Sequence, residues 1–321
     1  TQGRAFYIID DLSVIQQMNT NILSKNIHVF DVNPAWRMQG GGFRQNFGMP
    51  RNAGANPPVG VIFNYYLKDV IDSTRASVAI MDKNHKLIKT FSTSSKDDKL
   101  DISKGMNQFV WNMRYPDAEK IEGMILWTGG PNTIVASPGN YFARLKIEKD
   151  SVEIPFTIKA VPNYKISQED YEAQFAFLQE VQNKFNEVQK AIKNIRTVRI
   201  QINDFTSRLG KDMPKDVKQI ADTINKQMTA VEETLYQTKA KSEQDVLNYP
   251  IKLNDKLGGI FDVAASGNMA PSKQVKEAYA DIALQCDAAL AKLKKVFDQD
   301  VPALNEMIRQ KTLPVIGVKK E

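Results

Sequence analysis

Up to about residue 160, apolar residues alternate with polar ones in short runs closed by Gly, Pro, Asn and Asp. From Pro162 onward they recur every three or four positions, in long tracts where Gly and Pro are sparse. A period of two belongs to strands with one buried face, and a period near 3.6 to helices with one apolar stripe. The switch predicts an α+β chain, a β half followed by an α half.

In the β half, the run at 5–10 (AFYIID) reads as a strand, 13–19 as a short capped helix and 27–32 as a second strand. Residues 38–58 hold Gly40, Gly41, Gly42, Gly48, Gly54 and three prolines. Such a stretch buries too little apolar surface to offset its ordering entropy, so a linker is expected there. Strand-like runs follow at 61–67, 76–82, 86–90, 108–113, 124–128, 140–148 and 152–160. Turn signals separate them, among them Asp82-Lys-Asn-His85 and Ser137-Pro-Gly-Asn140. No helical pattern lies between these strands. Their spacing predicts an antiparallel β-sandwich over 59–161.

In the α half, Ser167 with Glu169 and Asp170 reads as an N-cap with acid in the first turn. Tyr171, Phe175, Leu178, Phe185, Val188, Ile192, Ile195, Val198, Ile202, Phe205 and Leu209 then fall at spacings of three, four or seven. They predict one helix of roughly 42 residues, about 60 Å long, ended by Gly210 and Pro214. A second helix uses Ile220, Ile224, Met228, Val231 and Leu235, and a third lies near 251–265. A fourth runs from Ser272 to Phe297, with Pro302 near its far end. Apolar stripes this narrow need partner helices, so 162–321 is expected to form an elongated antiparallel bundle.

Composition changes this picture little. A chain of 321 residues, 42% apolar and 25% charged, suits two or three ordinary globular domains. No stretch approaches the apolar length of a membrane span, so no transmembrane segment is expected. The net charge of +6 is spread evenly, with 19 Lys and Arg against 15 Asp and Glu in residues 1–160, and 24 against 22 in the rest. Nucleic acid is therefore not an expected partner, because a binding face would concentrate positive charge. The lone Cys286 excludes an internal disulfide and reads as a small buried hydrophobe. The chain opens Thr-Gln-Gly-Arg and enters an apolar run by residue 5, which reads as a fragment cut at a domain edge.

Candidate chemistry is sparse. His28 and His85 have no carboxylate or cysteine at ligand spacing, so neither metal nor cofactor is expected. No G-x-S-x-G elbow or Cys–His arrangement is present. The pairs Asp10–Asp11 and Asp97–Asp98 match glycoside chemistry only in residue type. They read as a helix cap and a solvated turn. Gly40-Gly41-Gly42, with Arg37, Arg44 and Arg51 around it, fits no phosphate-binding spacing. No catalytic residue is assigned. Trp111 alternates with Phe109 and reads as core. Trp127, beside Gly129-Gly130-Pro131, and Tyr115 are the ligand-binding candidates, because exposed aromatic faces stack on sugar rings or partner proteins. The alternative for each is a loop anchor packed on its own domain.

Five segments together resemble the C-terminal region of exported bacterial proteins with a sortilin-type BNR (Asp-box) β-propeller, a family often labelled glycosyl hydrolase. They are residues 1–12 (TQGRAFYIIDDL), 56–67 (NPPVGVIFNYYL), 107–116 (NQFVWNMRYP), 137–141 (SPGNY) and 249–257 (YPIKLNDKL). They follow the family's order and span most of the chain. The resemblance implies that residues 1–35 end the last propeller blade, that 36–58 is a linker, and that 59–161 is an immunoglobulin- or fibronectin-like sandwich ahead of the helical bundle. It also implies export to the periplasm, outer membrane or exterior. The family has His where this chain has Gln2, so no role is carried to that position. The Asp-box repeats would lie upstream.

Two readings follow. In the first, the chain is a non-catalytic interaction or positioning region that binds a partner protein or packs on its own propeller. In the alternative, it is an accessory carbohydrate-binding part of a glycan-active, sialidase-like hydrolase. A weaker third reading is a cytoplasmic coiled-coil adaptor, which an upstream export signal would exclude.

Overall fold

The structure is a computed structural model that describes residues 9, 11–38, 57–71 and 73–316. Nearly all of the expected strand at 5–10, and of the expected linker at 38–58, lies outside the described residues. About 46% of the chain is helix, with mixed sheets and a long helical region, so the class is α+β. The chain divides into two compact units, Thr1–Pro116 with Ile134–Tyr171, and Asp117–Thr133 with Glu172–Glu321.

The first unit opens with two short helices, α1 (Ser13–Gln17) and α2 (Thr20–Ser24). The Ser13 side chain, and then Ser13 N donating at 2.8 Å, hold the Asp11 carboxyl below its usual pKa range; Asn33 also donates to it. Asp11 thus helps start a helix, as its place before a polar cap predicted. Eight strands follow among the described residues: β1 (Ile27–Val29), β2 (Ala35–Trp36), β3 (Val61–Leu67), β4 (Ala76–Met81), β5 (Leu87–Ser92), β6 (Gly105–Trp111), β7 (Gly139–Ile147) and β8 (Asp150–Lys159). They form a three-stranded sheet, β1-β3-β6, and a five-stranded sheet, β2-β8-β7-β4-β5. Every pairing is antiparallel except β2 on β8, which is parallel. β1 and β2 bring residues 27–36 into both sheets, so pairing continues across the boundary expected at residue 35.

Alternation decides which side chains are inside. Val61, Phe63, Tyr65 and Leu67 of β3 are buried, and one apolar core joins them to Phe109 and Trp111 of β6, Val78 and Ile80 of β4, Tyr141 and Leu145 of β7, and Phe156 of β8. Trp111 is fully buried, its ring centroid 5.8 Å from Phe156 and 6.0 Å from Tyr141. The turn expected at 82–85 forms as an Asx turn: Asp82 Oδ1 accepts from Asn84 N and Lys86 N, and His85 adopts φ 58°. The expected strand at 124–128 does not form. Gly123, Gly129 and Gly130 take φ of 71°, 72° and 78°, outside any ladder geometry, and 117–133 belongs to the helical unit.

The helical unit contains α3 (Gln168–Leu209) from Glu172 onward, α4 (Lys215–Leu235), α5 (Leu253–Ala265), α6 (Lys273–Lys295) and α7 (Val301–Gln310). Ser167 and Asp170 cap α3 reciprocally: Asp170 N donates to Ser167 Oγ, and Ser167 N donates to Asp170 Oδ2. Gly210 at φ 50° ends the helix. α6 passes without a break through a π turn, Val296–Asp300, into α7. Pro302 lacks an N–H and its ring crowds the carbonyl four residues back; the π turn just before it absorbs that mismatch. The helix therefore continues well past Pro302, where the pattern placed its end.

Contact pairs order these helices. Arg196 with Glu232 and Asn203 with Asn225 make α3 and α4 antiparallel. Phe177 with Tyr279 and Lys184 with Asp287 make α3 and α6 parallel. Gln174 reaches the carbonyls of Ala264 and Gly267 at the end of α5, so α4 and α5 together run back along α3. The result is an up–down–up arrangement of three legs rather than four separate rods. Among the described residues, no helix is long and apolar enough to cross a membrane.

Candidate functional site

Residues 117–133 form a strap fastened to the helices at both ends. At one end, Glu119 N donates to Asn186 Oδ1 at 2.7 Å and Lys193 pairs with the Glu119 carboxylate at 2.9 Å. In the middle, Ile125 N donates to the Tyr236 hydroxyl. At the other end, Trp127 N and Thr128 N donate to the two oxygens of Asp255 at 2.8 and 2.9 Å, and Thr128 Oγ1 donates to Asp255 Oδ1 at 2.8 Å.

Asp255 sits in the first turn of α5, where a carboxylate also meets the free amides of a helix start. It is 5% exposed, so its oxygens are occupied by the strap rather than by water. One turn further on, a Cβ at Gly258 would lie 2.2 Å from Thr128 Oγ1; only glycine lets the strap lie this close. Asn132 then donates to Asp262, a carboxyl that burial raises above its usual range while the Asn132 bond works against the shift. A cavity of about 140 Å³ lies under the strap, walled by Ile121, Met124, Leu126 and Phe185.

The strap presents Trp127, which remains 52% exposed although its backbone amide is fixed to Asp255. Tyr115, the other sequence candidate, lies in the β unit, half-buried against the apolar core, with its amide donating to Ile134 O. Burial pushes its phenol pKa up. Tyr115 is thus a loop anchor and Trp127 a displayed aromatic. The two belong to different units.

Asp10, Gly40, Gly41, Gly42, Arg44 and Arg51 lie outside the described residues, while Arg37, His85 and Asp98 make structural contacts. Arg37 is buried, donates to Ala136 O at 2.9 Å and lies 5.0 Å from the Tyr171 ring centroid. His85 stacks on Phe142, and Asp98 pairs with Lys89. Burial pushes the Cys286 thiol up to about 11, well away from reactive thiolate. No group of His, Cys, Asp and Glu able to hold a metal ion occurs among the described residues.

Sequence reasoning missed Asp255 as an anchor. The signal was present in the Asn254–Asp255 pair at the start of an apolar helix, but nothing local identifies its partner. It also passed over Trp36, 46% exposed with the Lys159 ammonium 5.7 Å from its ring.

No family model matches the chain, and no curated protein matches it either. Among solved structures, one described as "pT26-6p" is similar over 75% of this chain and 46% of its own length, at 11% identity and a TM-score of 0.17. The chain therefore spans less than half of that structure, and a score this low supports no argument about fold or activity.

Proposed function

We propose that this chain is a binding and positioning region of a larger exported propeller protein, with Trp127 as its principal contact. The observation that carries the proposal is the pairing of a half-exposed indole with a backbone locked by a buried carboxylate. A displayed aromatic held in one place loses little freedom on binding, which is what a contact hot spot requires.

The same proposal includes an immunoglobulin- or fibronectin-like identity for the β unit, and three features support it. The sheets β1-β3-β6 and β2-β8-β7-β4-β5 resemble, apart from the short β2, the partition of an A-B-E sheet and a G-F-C-C′ sheet. Tyr141, near the start of β7, donates its hydroxyl to Ser137 O four residues upstream at 2.8 Å, a tyrosine corner. The fully buried Trp111 packs beside it. Both Trp111 and Tyr141 fall in segments that carry the family resemblance.

The test is calorimetric. The complete gene should encode Asp-box repeats and an export signal upstream of this chain. The upstream part, titrated with this chain, should bind, and Trp127→Ala should weaken binding about tenfold or more. No binding to the upstream part, with no other protein partner captured dependent on Trp127, would reject the proposal. The exposed indole also suits a sugar ring. Glycan-array binding that disappears in Trp127→Ala would favour the carbohydrate reading, and a blank array would remove it.

A further inference from the structure

Among the described residues the three-stranded sheet ends on β6, and nothing pairs with the far side of that strand. Phe30 N donates to Asn64 O, so the main-chain groups of Asn64 point toward β1. Asn64 pairs with Gln108, which is then at a non-hydrogen-bonded position of the β3–β6 ladder. The N–H and C=O of Gln108 therefore face away from β3, as do those of Met106 and Val110, two residues to either side. Among the described residues nothing bonds to these six groups. Met106 and Gln108 are exposed and Val110 half-buried, so the described residues leave this edge open.

Edge strands are normally guarded by charge, proline, bulges or covering chain. The edge at β5 is guarded in that way. Lys89 pairs there with Asp98, and the chain at 98–100 returns to bond Ser92 on both sides. The strand β6, GMNQFVW, has no charge, no proline and no bulge in its pairing with β3.

We infer that β6 pairs antiparallel with β6 of a second copy of this chain, about a twofold axis at Gln108. The geometry is self-complementary. Gln108 meets Gln108 of the second copy and exchanges two main-chain hydrogen bonds, and Met106 meets Val110 on each side and exchanges the rest. All twelve free groups of the two edges are then satisfied. The side chains agree with the backbone. Gln108 already donates to Asn64 Oδ1 at 3.1 Å, so the paired edges make a row of four amides. Ile62, Val110, Met106 and Tyr66 form apolar rows to either side, and no like charges face each other. A foreign strand would satisfy the main chain equally; the matched amide and apolar rows about Gln108 are what favour a second copy. The inference stands independently of the role of Trp127.

Sedimentation equilibrium of the full chain tests it. Wild-type chain should form a concentration-dependent dimer. Gln108→Lys and Gln108→Glu should each be monomeric, because like charges then meet on the axis, and an equimolar mixture of the two should dimerise again. Unchanged near-ultraviolet circular dichroism from the nearby Trp111 shows that each variant is folded; if either is not, Gln108→Pro takes its place, since the lost N–H is not bonded to β3. A wild-type chain that stays monomeric, a dimer indifferent to Gln108 substitution, or a mixture that fails to recover overturns the inference.

Discussion

The two units bury different kinds of side chain. In the β unit the buried residues are aromatic and aliphatic, and Arg37 is the one buried charged or polar side chain among those described. In the helical unit Gln174, Gln182, Gln189, Glu232, Asn254 and Asp255 are all buried. Backbone bonding explains the contrast. Strands are tied to their neighbours residue by residue, so the ladder fixes register and the core needs only shape. A helix satisfies its own backbone and can slide along its neighbour, while a strap has no ladder at all. Side-chain bonds must then set register, as Glu232 does with Arg196 and Arg199, and must hold the strap, as Asp255 does.

The most severe test of this contrast is in the β unit. Trp111→Ala should cost about 4 kcal/mol in urea unfolding, since it opens a void among Tyr141, Phe156 and their neighbours. Hydrogen exchange should quicken through β3, β6, β7 and β8 together; a loss below about 1 kcal/mol would mean that shape does not specify this core.

Asp255→Ala should cost about 3 kcal/mol, because two partly buried amides and a hydroxyl lose their acceptor. Its signature differs in place. Exchange should quicken at 124–130 and the start of α5, while the β sheets keep their protection. Uniform loss of protection would sink the idea that polar side chains act locally here.

Tyr141→Phe removes one hydrogen bond to Ser137 O and leaves the ring, so about 1 kcal/mol is expected. Trp127→Ala should change stability by less than about 0.5 kcal/mol, because the indole is exposed and the strap is held by main-chain amides. A larger loss would make Trp127 an anchor like Tyr115 rather than a contact.

Most of the elements were readable from sequence, because each depends on residues near in the chain. The 42-residue helix α3 follows from its repeating stripe and from the Ser167–Asp170 cap. The alternation of Val61, Phe63, Tyr65 and Leu67 gave the inner face of β3. Residues 124–128 misled, since a short apolar run between glycines looks the same as strand or strap. Trp127 was identified as a candidate; that its exposure is held in place was not, because Asp255 lies 128 residues away in the chain.

The sequence by itself determined the periods, caps and turns, and with them the order of strands and helices. Tertiary structure decided that 117–133 joins the helices, that the helix passes Pro302, and that β6 ends its sheet among the described residues. These outcomes rest on partners distant in the chain, and a local pattern specifies that a face must be covered without specifying what covers it.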